Sequence, residues 1–218
     1  MGRINSGVSN GFEGRVGNMV GYISEGKYFL RIHRKTIKSS KSVSAMTVRA
    51  RFLKGQEFIK CAPVLFRFGY STIEEPSTWY SKALGSLLRD AIQGSFPDLC
   101  FEPSKITFST GEGIPLLNPR VVSDNWVLTL NWDAPNELLH NTGRDRIIFI
   151  ACNFETKNIW FIELAEQRID QCAEITLPAS IGKGTIHLYA FTFSLIINSY
   201  SDRGFISPTT YCGSVLLA

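Results

Sequence analysis

The stretch Trp126–Trp132, with the sequence WVLTLNW, alternates apolar and polar side chains and sets the pattern for the second half of the chain. In an extended segment, Leu128, Leu130 and Trp132 fall on one side and the polar residues between them on the other. From Ser104 onward this period of two recurs, with turn signals about every 8 to 14 residues. The predicted strands are Lys105–Ser109, Pro119–Ser123, Trp126–Trp132, Arg146–Asn153, Asn158–Glu163, Ala173–Leu177, Gly184–Phe193 and Ser207–Leu217. Seven or eight short strands within about 115 residues are typical of an antiparallel β-sandwich of immunoglobulin-like type.

Three of these segments resemble strands of fibronectin type III domains. Val127–Trp132 resembles strand B, Ile175–Ala179 resembles strand E, and Ile186–Phe191 resembles strand F. The cysteine pair of antibody domains is not recognisable, which favours the fibronectin variant of the immunoglobulin-like fold. The resemblance implies a fibronectin-like β-sandwich, and another kind of β-sandwich is the open alternative.

A helical period precedes the strands. From Ser44, apolar residues recur at alternating steps of four and three, which predicts a helix that Pro63 ends or kinks. Its predicted inward-facing stripe consists of Val48, Phe52, Gly55, Ile59 and Ala62. A second helix is predicted over Thr78–Gln93, closed by Gly94.

Glycine recurs throughout the first 34 residues and indicates tight turns between short strands. Arg15–Ile23 and Lys27–His33 are β-prone, and Ser24–Gly26 supplies a turn, so the pattern predicts a β-hairpin. Alternation along the second strand leads us to expect Leu30 and Ile32 to pack under the helices.

These elements predict an α+β fold. Residues 1–100 would form a basic, glycine-rich hairpin and helical unit, and residues 104–218 a fibronectin type III-like β-sandwich. At 218 residues the chain is long enough for one large domain or two smaller ones.

Charge is distributed unevenly along the chain. Residues 1–60 carry 12 Lys and Arg against three acids, whereas the chain as a whole has a formal net charge of only +4. A basic end meets phosphate, a membrane surface or an acidic protein face.

The basic region supplies the candidate binding residues. On the second predicted strand, Tyr28 and Phe29 are interleaved with cations, a pattern found on β surfaces that bind single-stranded nucleic acid and also compatible with docking to an acidic protein or with self-assembly. The candidate partner-binding residues are Arg15, Lys27, Tyr28, Arg31, Arg34, Lys35, Lys38, Lys41, Arg49 and Arg51.

Residue types with catalytic or metal-binding chemistry do not form a convincing motif. The five cysteines include no C-x-x-C pair and the three histidines are far apart, so we expect no catalytic, metal or cofactor site. Gly7–Gly11 matches G-x-S-x-G, but it lacks the preceding strand and following helix that a nucleophile elbow needs, and we interpret it as a turn. His187 shares a strand face with Tyr189 and Phe191 and is expected to be partly buried.

The longest apolar stretches fall short of the roughly 20 residues that a membrane-spanning helix needs. The N-terminus lacks the apolar core of a secretory signal. We therefore expect no integral membrane segment, and a protein that is cytoplasmic or part of a larger assembly.

The whole chain also resembles an uncharacterised family of Bacteroidota proteins that open with a Met-Gly-Arg-Ile-like sequence. The matching residues are Gly11–Gly21 (GFEGRVGNMVG), Arg49–Phe52 and Leu177–Ala179. The chain departs from the family's usual linker over Thr36–Ser44, where the family tends to carry proline and asparagine. The resemblance implies an architecture and no activity.

Sandwich domains present binding surfaces more often than they enclose catalytic clefts. We therefore expect a non-catalytic structural or assembly protein that docks to partner proteins, as a subunit of a multi-chain particle or surface complex. A nucleic-acid-binding module that uses the same basic region is the alternative.

Overall fold

The computed structural model describes residues 3–4, 12–24, 26–33, 40–71, 78–124, 126–134, 145–195 and 204–217. It contains helices and mostly antiparallel strands in several sheets, which confirms the mixed α and β composition. The chain separates into two compact units, Met1–Lys41 and Ser42–Ala218. The predicted division near residues 100–104 stays a prediction.

The N-terminal unit contains a four-stranded antiparallel sheet in which sequence neighbours pair, in the order β1-β2-β3-β4. Tight turns follow β2 and β3, with Gly17 at φ +58° and Gly26 at φ +73°, angles that glycine adopts without strain. The predicted hairpin is confirmed by the last two strands. The strands are β1 (Arg3–Ile4), β2 (Phe12–Val16), β3 (Met19–Ser24) and β4 (Lys27–Ile32).

The described part of the second unit begins with the helices α1 (Val43–Cys61), α2 (Pro63–Gly69) and α3 (Thr78–Ser86). The Ser42 hydroxyl caps α1 by accepting a hydrogen bond from the Ala45 amide at 3.3 Å. Pro63 begins α2, which confirms the predicted break. Within the described ranges, no helix is both long enough and apolar enough to cross a bilayer.

The apolar stripe predicted for α1 is correct only in the second half of the helix. Gly55, Ile59 and Ala62 are buried, whereas Val48 and Phe52 are 65% and 44% exposed. The middle of α1 is held to its neighbours by polar contacts on a different face.

Two long cations make these polar contacts. Arg51 Nη2 donates hydrogen bonds to the carbonyl oxygens of Leu88 and Ile92 at 2.6 and 2.7 Å, and Lys54 Nζ donates to the carbonyl oxygen of Leu99. Because these side chains face the fold, the apolar residues one position along the helix face solvent.

The second predicted helix is shorter than expected. α3 continues into a π-helical turn, Leu87–Ala91, and the chain then forms an antiparallel hairpin that the sequence pattern did not predict. Gly94 lies in the first strand of this hairpin at φ +88°, so it does not close a helix. The hairpin consists of β5 (Ile92–Ser95) and β6 (Asp98–Phe101).

Two further antiparallel sheets complete the unit. The three-stranded sheet has the order β11-β8-β7, and in the five-stranded sheet β9 lies between β10 and β12, with β13 and β14 both paired to β12. Most of the predicted strands are confirmed with shifted ends. The strands are β7 (Leu117–Asp124), β8 (Val127–Asp133), β9 (Arg146–Asn153), β10 (Asn158–Gln167), β11 (Cys172–Thr176), β12 (Gly184–Leu195), β13 (Gly204–Ile206) and β14 (Thr210–Leu217).

The five-stranded sheet is covered on both faces. Phe149 and Leu188 share a buried core with Leu130 of the three-stranded sheet. Their sequence neighbours Ile150 and Tyr189 point the opposite way and share a second core with the helices. The unit therefore has three layers, with the five-stranded sheet in the middle.

The predicted strand Lys105–Ser109 is wrong. A 3₁₀ turn occupies Pro103–Lys105, and the residues after it pair with no strand among the described residues. The amides of Phe108 and Ser109 both donate to Thr209 Oγ1 at 2.9 Å. A single side-chain oxygen thus satisfies backbone donors that a neighbouring strand would otherwise take.

Arg168 is a fully buried cation that connects several segments. Its Nη1 lies 3.4 Å from Asp145 Oδ2 and donates to the Ile114 carbonyl oxygen at 3.0 Å, while Nη2 donates to the Pro115 carbonyl oxygen. Its own carbonyl oxygen accepts from Trp132 Nε1 at 2.7 Å. Burial lowers the pKa of Arg168 and raises that of Asp145, and the pairing of opposite charges counters both shifts.

We expect the substitution Arg168→Met to lower the free energy of unfolding by about 3–5 kcal/mol, because Asp145 would stay buried without its cation. Chemical denaturation followed by tryptophan fluorescence measures this change. The matched control is Arg146→Met, which removes the exposed ion pair with Glu163 and should cost about 1 kcal/mol or less. Equal losses in the two variants would contradict the role of Arg168.

Candidate partner-binding surface

The sheet of the N-terminal unit has two chemically different faces. Residues directly opposite each other in an antiparallel pair share a face, and the register places Arg15, Val20 and Arg31 in one row across β2, β3 and β4. Tyr22 and Phe29 form the next row on this side. We call this side the cationic face, and across these strands it consists of Glu13, Arg15, Val20, Tyr22, Ser24, Lys27, Phe29 and Arg31.

Aromatic rings and cations contact one another on the cationic face. The rings of Tyr22 and Phe29 stack with centroids 5.5 Å apart and planes at 21°. The Arg31 guanidinium carbon lies 5.8 Å from the Tyr22 ring centroid, within the range of a cation–π contact. Arg15 Nε donates to the Gly17 carbonyl oxygen at 3.1 Å. All of these side chains are exposed, so the face offers stacked rings and positive charge to solvent.

The opposite side of β2, β3 and β4 carries no Asp, Glu, Lys or Arg. The exposed fractions of its large side chains run from 40% at Ile23 to 70% at Ile32, whereas Gly21 between them is buried. Gly14 and Gly21 pair across two strands, and Leu30 lies next to them in the same row. We call this side the apolar face, and its large side chains are Val16, Met19, Ile23, Tyr28, Leu30 and Ile32.

The expectation that Leu30 and Ile32 are buried is wrong. They are 62% and 70% exposed, because the described residues of the N-terminal unit form a single layer of sheet with no second layer over the apolar face. Among the described residues, the face that we expected to enter a core is therefore exposed.

The structure distributes the other candidate residues among different environments. Lys41 and Arg49 are exposed, and Arg49 Nε donates to the Ala45 carbonyl oxygen at 3.0 Å. Arg51 is half-buried and engaged with backbone carbonyls of its own unit, as described above. Their roles in partner binding stay predictions. The candidates that lie outside the described residues are Arg34, Lys35 and Lys38.

Sequence reasoning found the cations of the sheet but did not select the stacked pair of Tyr22 and Phe29. It assigned Tyr28 to the same surface as the cations, whereas the register places Tyr28 opposite Ile23 on the apolar face. Alternation along the second predicted strand already sets Leu30 and Ile32 apart from Arg31, and the same rule places Tyr28 with those two apolar residues.

The second unit contains a cleft with a volume of about 690 Å³, between α1, the β5–β6 hairpin, β9 and β12. Its aromatic lining is continuous. The rings of Phe58 and Phe101 are 4.8 Å apart, those of Phe101 and Phe154 are 5.6 Å apart, and those of Phe154 and His187 are 5.0 Å apart.

Burial favours the neutral forms of three side chains that line this cleft, Cys61, Cys152 and His187. Burial raises the pKa of the Cys61 and Cys152 thiols, so neither is activated as a thiolate at neutral pH. Burial lowers the pKa of His187, whose Nδ1 lies 3.0 Å from the Tyr211 hydroxyl oxygen. The partial burial predicted for His187 is confirmed. Across the described residues, no three or more His, Cys, Asp or Glu side chains group together in a way that could hold a metal ion.

A comparison with known protein families matches residues 11–196, from the glycine-rich sheet to β12, to a family of unknown function, DUF6266. The chain belongs to this family. This confirms the predicted membership of an uncharacterised family. No curated protein and no solved structure matches the chain.

We expect His187→Gln to make the protein less sensitive to acid. Because the folded protein holds the pKa of His187 below its ordinary value of 6.5, the unfolded chain binds the proton more readily. The free energy of unfolding therefore decreases as the pH falls through the ordinary pKa of histidine toward the lower folded-state pKa. Glutamine does not titrate, so the variant lacks this pH dependence. Urea unfolding at a series of pH values between about 8 and 5 measures the effect, and parallel pH profiles for the variant and the wild type would contradict it.

Proposed function

We propose that this protein is a non-catalytic structural or assembly protein whose N-terminal sheet docks to partner proteins, as a subunit of a multi-chain particle or surface complex. The observation that carries the proposal is the sheet itself. It exposes large apolar side chains on one face, and aromatic side chains with three cations on the other.

The exposure of apolar residues is concentrated at this end of the chain. Eight of the 21 large hydrophobic residues exposed in the described part of the protein lie between Val16 and Ile32. Contiguous apolar patches of this kind mark interaction surfaces, since monomeric proteins rarely leave them open to water.

Backbone pairing offers a second route to docking. β4 lies at the edge of the described sheet, so its outer amide and carbonyl groups are available to a strand of a partner. Lys27 and Arg31 on this strand would discourage pairing with another basic strand and favour an acidic one.

We also propose that the β-rich second half is a fibronectin type III-like domain with immunoglobulin-like strand order, and that the family is the Bacteroidota family that the opening sequence resembles. The strand order supports the first proposal. The strand that resembles B (β8) pairs with the strand that resembles E (β11), and the strand that resembles F (β12) lies in the other sheet between β9 and β14. Such a domain would act as the support that presents the N-terminal sheet.

The cationic face favours a second candidate, a nucleic-acid-binding module. Single-stranded nucleic acids bind to β-sheets through bases stacked on exposed aromatic rings and phosphates paired with cations. The stacked rings of Tyr22 and Phe29 between Arg15, Arg31 and Lys27 supply both kinds of group. The apolar face has no role in this alternative, which is why we prefer a protein partner.

The triple substitution Arg15→Ser, Lys27→Ser and Arg31→Ser tests the docking proposal. In affinity purification of the tagged full-length chain from its source, we expect the variant to lose about tenfold or more of its associated proteins, because partner selection depends on the removed charges. Quantitative mass spectrometry of chemically cross-linked complexes measures the loss and maps the contact to residues 13–33. The matched control removes the same charge from exposed positions of the second unit, by Lys82→Ser, Arg120→Ser and Lys183→Ser.

Equal retention of associated proteins by the two triple variants would overturn docking through the cationic face. A fluorescence anisotropy titration with a labelled single-stranded oligonucleotide decides between the two candidates. Binding that weakens with salt at a log–log slope of about −2, for three phosphate contacts, and that disappears in the cationic-face variant would select the nucleic-acid module.

A further inference from the structure

We propose that the apolar face binds the apolar face of a second copy of this chain, so that two N-terminal sheets pack face to face across a twofold axis. The inference rests on the proposed function in one respect, that the N-terminal sheet is a docking element. The partner that we infer for this sheet is a second copy of the same protein.

The distribution of charge decides which face can meet its own copy. The cationic face carries Arg15, Lys27 and Arg31 against a single acid, Glu13, and two such faces brought together would repel. The apolar face has no charged side chain across β2, β3 and β4, so it can be buried against an identical surface without leaving a charge unpaired. Packing through the apolar face also leaves both cationic faces on the outside of the pair.

The exposed area is sufficient for a specific contact. The six large side chains of the apolar face are 40–70% exposed, and their complete burial would remove about 600 Å² per copy and about 1,200 Å² in a pair. This value reaches the lower end of the range for specific protein–protein interfaces. Two of the six, Ile32 and Leu30, are among the most exposed large hydrophobic residues in the described part of the chain.

The relief of the face is self-complementary. In the row formed by Gly14, Gly21 and Leu30, two positions without side chains lie beside one that projects and is 62% exposed. When a twofold axis parallel to the strands turns the row over about Gly21, Leu30 of each copy lies above Gly14 of the other. Sheets stacked face to face are about 10 Å apart, a separation that interdigitated leucine, isoleucine and methionine side chains fill.

Analytical ultracentrifugation and light scattering of the purified full-length chain test this inference. At concentrations of about 10–100 µM, we expect the wild type to sediment as a dimer of its 24.4 kDa chain, and Leu30→Glu to be a monomer because two carboxylates would enter an apolar contact. The matched control is Leu216→Glu on β14, which changes a leucine that is 76% exposed in the second unit and should leave the dimer intact.

Salt provides a measurement that does not depend on any variant. An apolar contact keeps its strength when NaCl is raised to about 1 M, whereas a contact between charged surfaces weakens. Circular dichroism shows whether Leu30→Glu is folded, and Tyr28→Lys replaces it if it is not. A wild-type monomer at 100 µM, or a dimer that Leu30→Glu and Tyr28→Lys leave intact, would overturn the inference. If that monomer still recovers associated proteins through Arg15, Lys27 and Arg31, the proposed docking function stands and only the identity of the partner is wrong.

Discussion

The five-stranded sheet of the second unit has to be covered on both faces, and the arrangement of the other layers follows from that requirement. Seven consecutive residues of β9, Ile147–Asn153, are buried, and alternate ones point into different cores. Neither the helices nor the three-stranded sheet could be removed without exposing large aromatic and aliphatic side chains to water. The short β5–β6 hairpin belongs to the same arrangement, since Phe101 packs against the helical core.

The same double coverage limits where polar groups can go. Asn153 ends β9 in a fully buried position, and its side chain donates to the carbonyl oxygens of Ile181 and Lys183 and accepts from the amides of Glu155 and Thr156. This amide therefore closes the β9–β10 turn and fixes it against the loop before β12. Buried polar side chains in this unit replace backbone pairing where the sheets end, because an unpaired group there would cost more than the ordering of the side chain.

Alternation and turn spacing were enough to predict most strands of the second unit, since the period of two is a direct consequence of burial on one or both faces. They failed where side-chain groups, and not a neighbouring strand, form the hydrogen bonds or contacts that hold a segment. The residues Ile106 and Phe108 alternate and are buried as in a strand, yet the neighbouring amides bond to Thr209, so no ladder forms. In α1, Arg51 and Lys54 lie on an inward side of the helix that the sequence pattern did not identify. A sequence pattern assigns every long cation to the exposed side, even where its head group binds to the fold.

The candidate surface could be predicted in composition but not in layout. The excess of cations before residue 60 is visible in the sequence, and so is the alternation of β4. The pairing of Gly14, Gly21 and Leu30 in one row is a matter of register between strands, which the spacing of residues within one strand does not contain. The alignment of these residues into rows across three strands therefore required coordinates.

A thin sheet with two unlike faces has a consequence for assembly that a single patch would not have. Occupation of the apolar face does not block the cationic face, because the two lie on opposite sides of one layer of backbone. On the proposed arrangement, a pair of chains presents two copies of Arg15, Lys27 and Arg31 pointing away from each other. A partner with repeated acidic sites then meets a bivalent surface, and the second contact forms at the effective concentration set by the first. In the proposed assembly, contacts that are individually weak and screened at physiological salt would reinforce one another.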